Sequence, residues 1–337
     1  MYKKLTPVFL LAFTLISCVN DSNTDVSIDE PDVYEFTRNG SSTVSFSGQT
    51  ARILMAEELI STMMDFDGAS ESLLLQMYRN QDASGGNVDP FSNPQLNNET
   101  KSIKEKVAAS DDFFSSNASE SVQIKNEFET WISAQVNDVF PNENTLAAPG
   151  QPGQIADGTS VRYVNGQGLE YNQMVTKSLI GALMTDQMLN NYLSTSVLDA
   201  GTNREDNNSE VLVEGTNFTN MEHKWDEAYG YLFGAYSNSA DPLAELGSAD
   251  SFFDKYLGRV ENDDDFAGIA DEIFNAFKRG RAAIVAGTYD VRDEQAEIIR
   301  QRISEIIGIR AVYYLESAKS ILEGNPPDYG AIFHDLS

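Results

Sequence analysis

An all-α fold of two packed helical bundles is what this sequence predicts, and three observations carry the prediction. Apolar residues recur at helical spacing in at least six separate stretches, and Pro, Gly and Asn collect between them. No βαβ unit, persuasive strand pair, Gly-x-Gly-x-x-Gly or phosphate loop interrupts the pattern. With 41% hydrophobic residues, 18 Phe and 14 Tyr, the chain has ample material for a core.

The first stretch is an address. In "MYKKLTPVFLLAFTLISC", Lys3 and Lys4 form a positive n-region and Val8 to Ile16 is too short an apolar run to span a bilayer. The run "LISC" is a bacterial lipobox. It predicts a signal peptide over 1–17, cleavage before Cys18, and lipidation of that residue. Cys18 is also the single cysteine, which excludes an intrachain disulfide and a cysteine nucleophile elsewhere. Residues 18–33 are polar and acidic and read as a flexible tether to the helical domain over 34–337.

"TVSFSGQT" alternates β-branched or aromatic residues with serine and predicts a short extended segment. In the next stretch Ile53, Leu54, Ala56, Leu59, Ile60 and Met63 follow a helical period, and "SVQIKNEFETWISAQVNDVF" repeats it before Pro141. The Pro/Gly/Asn-rich connection near 141–168 is the expected boundary between the bundles. A Met-rich helix follows, "DAGTNREDNNSEVLVEGTN" breaks the pattern, and helices are expected at about 219–236, 248–258, 263–287 and 291–323.

The helix beginning "TNMEHKWDEAYGYLFG" holds the chemistry. Thr219 followed by Glu222 forms a capping box. Met221, Trp225, Ala228 and Leu232 form one apolar stripe, with His223, Asp226, Glu227 and Gly230 opposite. Arg281 shares a face with Ile273, Phe277 and Ile284, and Arg310 with Ile303, Ile307, Tyr314 and Ile321. A guanidinium on a core face needs an acid turned inward to meet it, unless its stem carries it out to water. Gly280 lets another helix come close. The expected result is a partly buried cluster of His223, Asp226, Glu227, Arg281, Arg310 and His334 lining an interhelical ligand cleft. A metal there would take nitrogen from His223 and oxygen from Asp226 or Glu227.

Six motifs, "VSFSGQTAR", "PGQPGQIADGTSVRYVNGQGLEYNQ", "KSLIGALMTDQMLNNYL", "MEHKWDEAYGYLFG", "FKRGRAAIVAGTYDVRD" and "AVYYLESAK" with "FHDLS", resemble in order those of a family of envelope lipoproteins of unknown function grouped with the imelysin-like proteins. The resemblance implies two related helical bundles and an association with iron acquisition, with iron or another divalent metal as the implied cofactor. The Gly-x-His-x-x-Glu signature of imelysin-like proteins falls here on Met221, His223 and Asp226, so its glycine is missing and its acid is aspartate. The resemblance also implies a further helix beyond "FHDLS", which would leave His334 at a frayed end.

The formal charge of −29 disfavours nucleic acid and anionic lipid as partners. No nucleophile elbow or His-Glu-x-x-His pattern occurs, so no catalytic residue is assigned and a metallopeptidase ranks last. A lipid-anchored envelope protein, on the outer membrane and binding a ligand connected with iron or nutrient uptake, ranks first. A structural or assembly partner of an outer-membrane complex comes between.

Overall fold

The computed structural model describes residues 28–337. The segments expected to be a signal peptide (1–17) and, for the most part, a tether (18–33), with Cys18, lie outside the described residues. Within them the fold is all-α, with packed helices and two small hairpins. No described helix is long and apolar enough to cross a membrane.

The chain enters through β1 (Thr37–Arg38) and β2 (Ser41–Ser42), then forms α1 (Ser47–Thr62), α2 (Glu71–Arg79), α3 (Pro94–Asn97), α4 (Ile103–Lys106) and α5 (Ala118–Ala134). A second hairpin, β3 (Gly153–Asp157) and β4 (Ser160–Val164), precedes α6 (Tyr171–Leu179), which runs on through two π-helical stretches to Tyr192. After α7 (Thr195–Leu198) and α8 (Asn203–Asn208) come α9 (Asn220–Phe233), α10 (Phe253–Glu261), α11 (Ile269–Val285), α12 (Tyr289–Leu322) and α13 (Tyr329–Leu336). Buried apolar side chains from both sides of the 141–168 connection join one continuous core.

Two expectations need correcting. The segment expected to be extended, 43–50, ends as the first turn of α1, which begins at Ser47. The connection thought free of strands holds the β3–β4 hairpin, paired from Gly153↔Val164 to Asp157↔Ser160. Its signal was the Asp-Gly pair inside "QIADGTSVRYV": Gly158 sits at φ 56 in the two-residue turn, a conformation glycine adopts without a Cβ clash.

α9 lies at the centre, with its predicted stripe of Met221, Trp225, Ala228 and Leu232 fully buried. Trp225 packs over Gly280, where a Cβ would come within 2.1 Å of the indole, and its Nε1–H donates to the Phe277 carbonyl at 3.0 Å. That close approach is the one the glycine was expected to allow. α11 ends in a Schellman closure, with the Thr288 amide donating to Ala283 O and the Gly287 amide to Ile284 O. α12 is thereby turned back to pack along α11.

Candidate functional site

The capping box fixes how α9 starts. Thr219 Oγ1 accepts from the Glu222 amide at 3.3 Å, and the Glu222 carboxylate accepts from the Thr219 amide at 2.7 Å. From that start, Glu222, His223, Asp226 and Glu227 fall on the face away from the stripe. Most of this face is covered: Glu222 and Asp226 are buried, while His223 and Glu227 at its border keep partial exposure. Residues 34–49 lie across it, and Arg281 reaches it from α11.

Asp226 is fully buried; its Oδ1 accepts from Tyr34 Oη at 2.8 Å and Arg281 Nε at 3.0 Å, and its Oδ2 from the Ser45 amide at 3.1 Å. Arg281, also fully buried, donates through Nη1 to Glu222 at 3.1 Å and through Nη2 to Thr43 Oγ1 at 2.9 Å, with its plane over the Phe36 ring. Arg38 closes the set with a forked pair onto Glu222 at 3.0 and 3.1 Å. Two guanidinium groups thus face two carboxylates with their polar atoms engaged, the condition under which buried charge is tolerated.

The titration of these groups follows from that balance. Burial pushes the Asp226 carboxyl up to about 6 against the pull of Arg281, so the group is ionised at neutral pH. Burial also pushes Glu222 up, but Arg281, Arg38 and the Thr219 amide outweigh it and leave the carboxyl below its ordinary value. Burial and the Asp226 charge raise Tyr34 far enough to keep its hydroxyl a donor.

His223 and Glu227 border this cluster. The Nδ1 of His223 lies 3.0 Å from the Ser45 carbonyl, an acceptor only, so Nδ1 carries the proton. Ser45 therefore bridges the pair: its amide donates to Asp226 and its carbonyl accepts from His223. Nε2 of His223 is 3.9 Å from Glu227, which accepts from Gln49 and Lys224 at 3.0 Å each.

The structure thus brings His223, Asp226, Glu227 and Arg281 together, but not as expected. Asp226 and Arg281 do not line a cleft, since neither has exposed surface, while His223 and Glu227 are partly exposed at the cluster's edge. Arg310 is elsewhere, half-buried against Tyr313 and Tyr314 with ring centroids 4.1 and 4.9 Å away. It fails to reach the cluster because α12 buries Ile299, Ile303 and Ile306, while Ile307 beside Arg310 lies on a 37% exposed flank. His334 is not at a frayed end: it sits on α13 and pairs with Glu170 at 3.0 Å. α13 is pressed so close to β3 that a Cβ on Gly330 would come within 1.9 Å of the Ala156 carbonyl oxygen.

The metal reading of His223 and Asp226 finds the carboxylate committed, although Nε2 of His223 keeps its lone pair. Both Asp226 oxygens hold protein donors, and among the described residues no three His, Cys, Asp or Glu gather as a metal set. The residues that the sequence did not reveal are Tyr34, Arg38 and the second role of Glu222. Arg292 was also missed, though its signal matched that of Arg281: it shares a face with Ala296, Ile299 and Ile303, is fully buried, and donates to Asp199 at 2.7 Å.

Residues 31–337 match the family model described as Domain of unknown function (DUF4856). The chain belongs to that family. No curated protein and no solved structure matches it. The DUF4856 match spans every element described above, so the buried cluster and the hairpins are all parts of one family domain. Open space in the DUF4856 domain includes an apolar cavity of about 440 Å³ between Pro149, Ile155, Val164 and Phe333, and a polar hollow of about 140 Å³ at the edge of the cluster, beside Arg38 and Glu222.

Proposed function

We propose that the chain is a non-enzymatic, lipid-anchored binding protein of the cell envelope, held at the outer membrane through Cys18 and serving iron or nutrient uptake. The lipobox and the resemblance to imelysin-related lipoproteins support this reading. The observation that carries it is how the buried cluster is built. Tyr34, Arg38, Thr43 and Ser45, the first residues past the tether, supply the donors that satisfy Asp226 and Glu222, or the acceptor for Arg281. In this reading the cluster is a clamp fastening the tethered end of the chain to the central helix, and ligand binding belongs to open surface elsewhere.

The test is cellular. Cys18→Ser should move the protein from the membrane fraction to the soluble one with its helical circular dichroism unchanged. Retention in membranes after a high-salt wash sinks the anchoring claim.

The saturation of the clamp also favours a second reading, a structural or assembly partner of an outer-membrane complex. Metal analysis of protein purified without chelator separates the two: stoichiometric iron supports the uptake reading, and none supports the structural one. A metallopeptidase ranks below both, because both oxygens of Asp226 hold protein donors and no three His, Cys, Asp or Glu gather as a metal set among the described residues.

A further inference from the structure

The cleft between α6, α10 and α12 differs from the rest of this acidic molecule. It encloses about 210 Å³, walled by Ile180, Phe253 and Ile306, with Lys177, Arg310 and the Tyr256–Tyr314 pair at its edge. Arg259 reaches the same hydroxyl pair, donating to Tyr314 Oη at 2.9 Å. Three cations therefore converge on one small apolar hollow in a chain of formal charge −29.

Among the described residues no carboxylate forms an ion pair with Lys177, Arg259 or Arg310. The acids of α10 and the one whose charge reaches Lys177 are occupied: Asp254 accepts from the Gly247 and Ala249 amides, Glu261 from the Gly268 and Ala270 amides, and Glu170 pairs with His334 at 3.0 Å. The Nε of Arg310 is buried with no acceptor, although the rings of Tyr256, Tyr313 and Tyr314 surround its guanidinium. An unsatisfied buried donor is costly, and a charged one more so. The tyrosine pair has spare capacity as well. Its hydroxyls stand 2.9 Å apart, so one hydrogen is shared between them and the other is free to donate outward.

We propose that this cleft binds a small organic anion, its apolar body against Ile180, Phe253 and Ile306 and its carboxylate or phosphate head against Arg310, Lys177 and the tyrosine hydroxyls. The volume suits a single ring or a short chain, below the usual range for drug-sized ligands. Aromatic stacking holds the Arg310 fork in place, ready for a planar or tetrahedral oxyanion. Burial, with some repulsion from Lys255 and Arg259, pushes the Lys177 amine down to about 8 against the weaker pull of Tyr314 and Glu170. A bound anion reverses that shift, so binding takes up a proton near this pH.

The inference deepens the binding-protein reading, and its test does not involve the lipid anchor. The full-length chain is titrated by calorimetry and by protein NMR with benzoate, phenyl phosphate, inorganic phosphate and benzyl alcohol. Benzoate or phenyl phosphate should bind in the millimolar range or tighter, and the better of the two identifies the head group. Arg310→Gln and, separately, Lys177→Met should each weaken that probe about tenfold, and wild-type affinity should fall from about pH 7 to about pH 9. Equal binding of benzyl alcohol overturns the proposal, because the cations would then play no part. Inorganic phosphate binding as tightly as phenyl phosphate removes the apolar wall from it. Unchanged affinity in both variants, or no binding of either anion by ~10 mM, also overturns it. Failure here, with Cys18→Ser released from membranes as expected, would leave the anchoring claim standing and remove only this site.

Discussion

Arg281 and Arg310 look alike in the sequence, each set among isoleucines and aromatics on a helix, yet the two regions they occupy work in opposite ways. Around Arg281 the protein supplies an acceptor for each nitrogen: Asp226, Glu222 and Thr43 receive Nε, Nη1 and Nη2, and the side chain has no exposed surface for anything else. Around Arg310 it supplies aromatic faces and further cations, with one buried N–H unanswered. A guanidinium on an apolar face says that a partner is required. It does not say whether the partner belongs to the chain.

The sharpest way to break the contrast is Arg281→Met. Removing one side of a buried ion network leaves Asp226 and part of Glu222 charged without compensation, and the cost should be on the order of 3–5 kcal/mol. Chemical denaturation monitored by circular dichroism measures it. A loss under about 1 kcal/mol would mean the clamp is not holding residues 34–45 to α9, and the two arginines would then differ only in burial.

Gly280→Ala probes the packing beside the clamp. The new methyl would collide with the Trp225 ring, whose position is fixed by its bond to Phe277, so a cost of about 1–3 kcal/mol is expected from overpacking. An unchanged denaturation midpoint would show that α9 and α11 can separate freely.

How much of this was legible in the sequence follows from range. α9, its cap and its stripe rest on residues three or four apart, and those local rules held for Thr219, Glu222 and Trp225. Arg281 was found because its neighbours on α11 are apolar, a local cue that an inward acid must answer. Arg38 and Tyr34 were not legible, since they lie about 180 residues or more from Glu222 and Asp226 and sit in a segment with no period. For Arg310 the pattern misled, because the buried stripe of α12 runs through Ile299, Ile303 and Ile306 and leaves Arg310 at its margin. The face with His223 and Asp226 was expected to line a cleft between helices, and the strap that covers it was missed for a similar reason: residues 34–49 lie across it, and no helical periodicity reports a strap from the far end of the chain.

His223 offers a gentler probe of the clamp's border. Burial lowers its pKa below the ordinary 6.5 in spite of Glu227, so the unfolded chain takes up this proton before the folded one does. Its contribution therefore makes stability fall as pH drops through about 6.5, and His223→Gln should flatten that part of the profile. NMR titration of the imidazole gives the same answer directly. A folded-state value at or above 6.5 would show the ring open to water and Ser45 not holding it.

The smallest expected effect is the one that completes the comparison. Arg310→Gln removes stacking on partly exposed tyrosines, worth about 0.5–1 kcal/mol at such sites, but also removes a buried N–H that had no acceptor. The two contributions oppose each other, so stability without ligand should change by less than about 1 kcal/mol in either direction. The same denaturation experiment used for Arg281→Met reads it. If Arg310→Gln instead costs more than about 2 kcal/mol, Arg310 is structural like Arg281, and the cleft loses the spare donor on which anion binding depends.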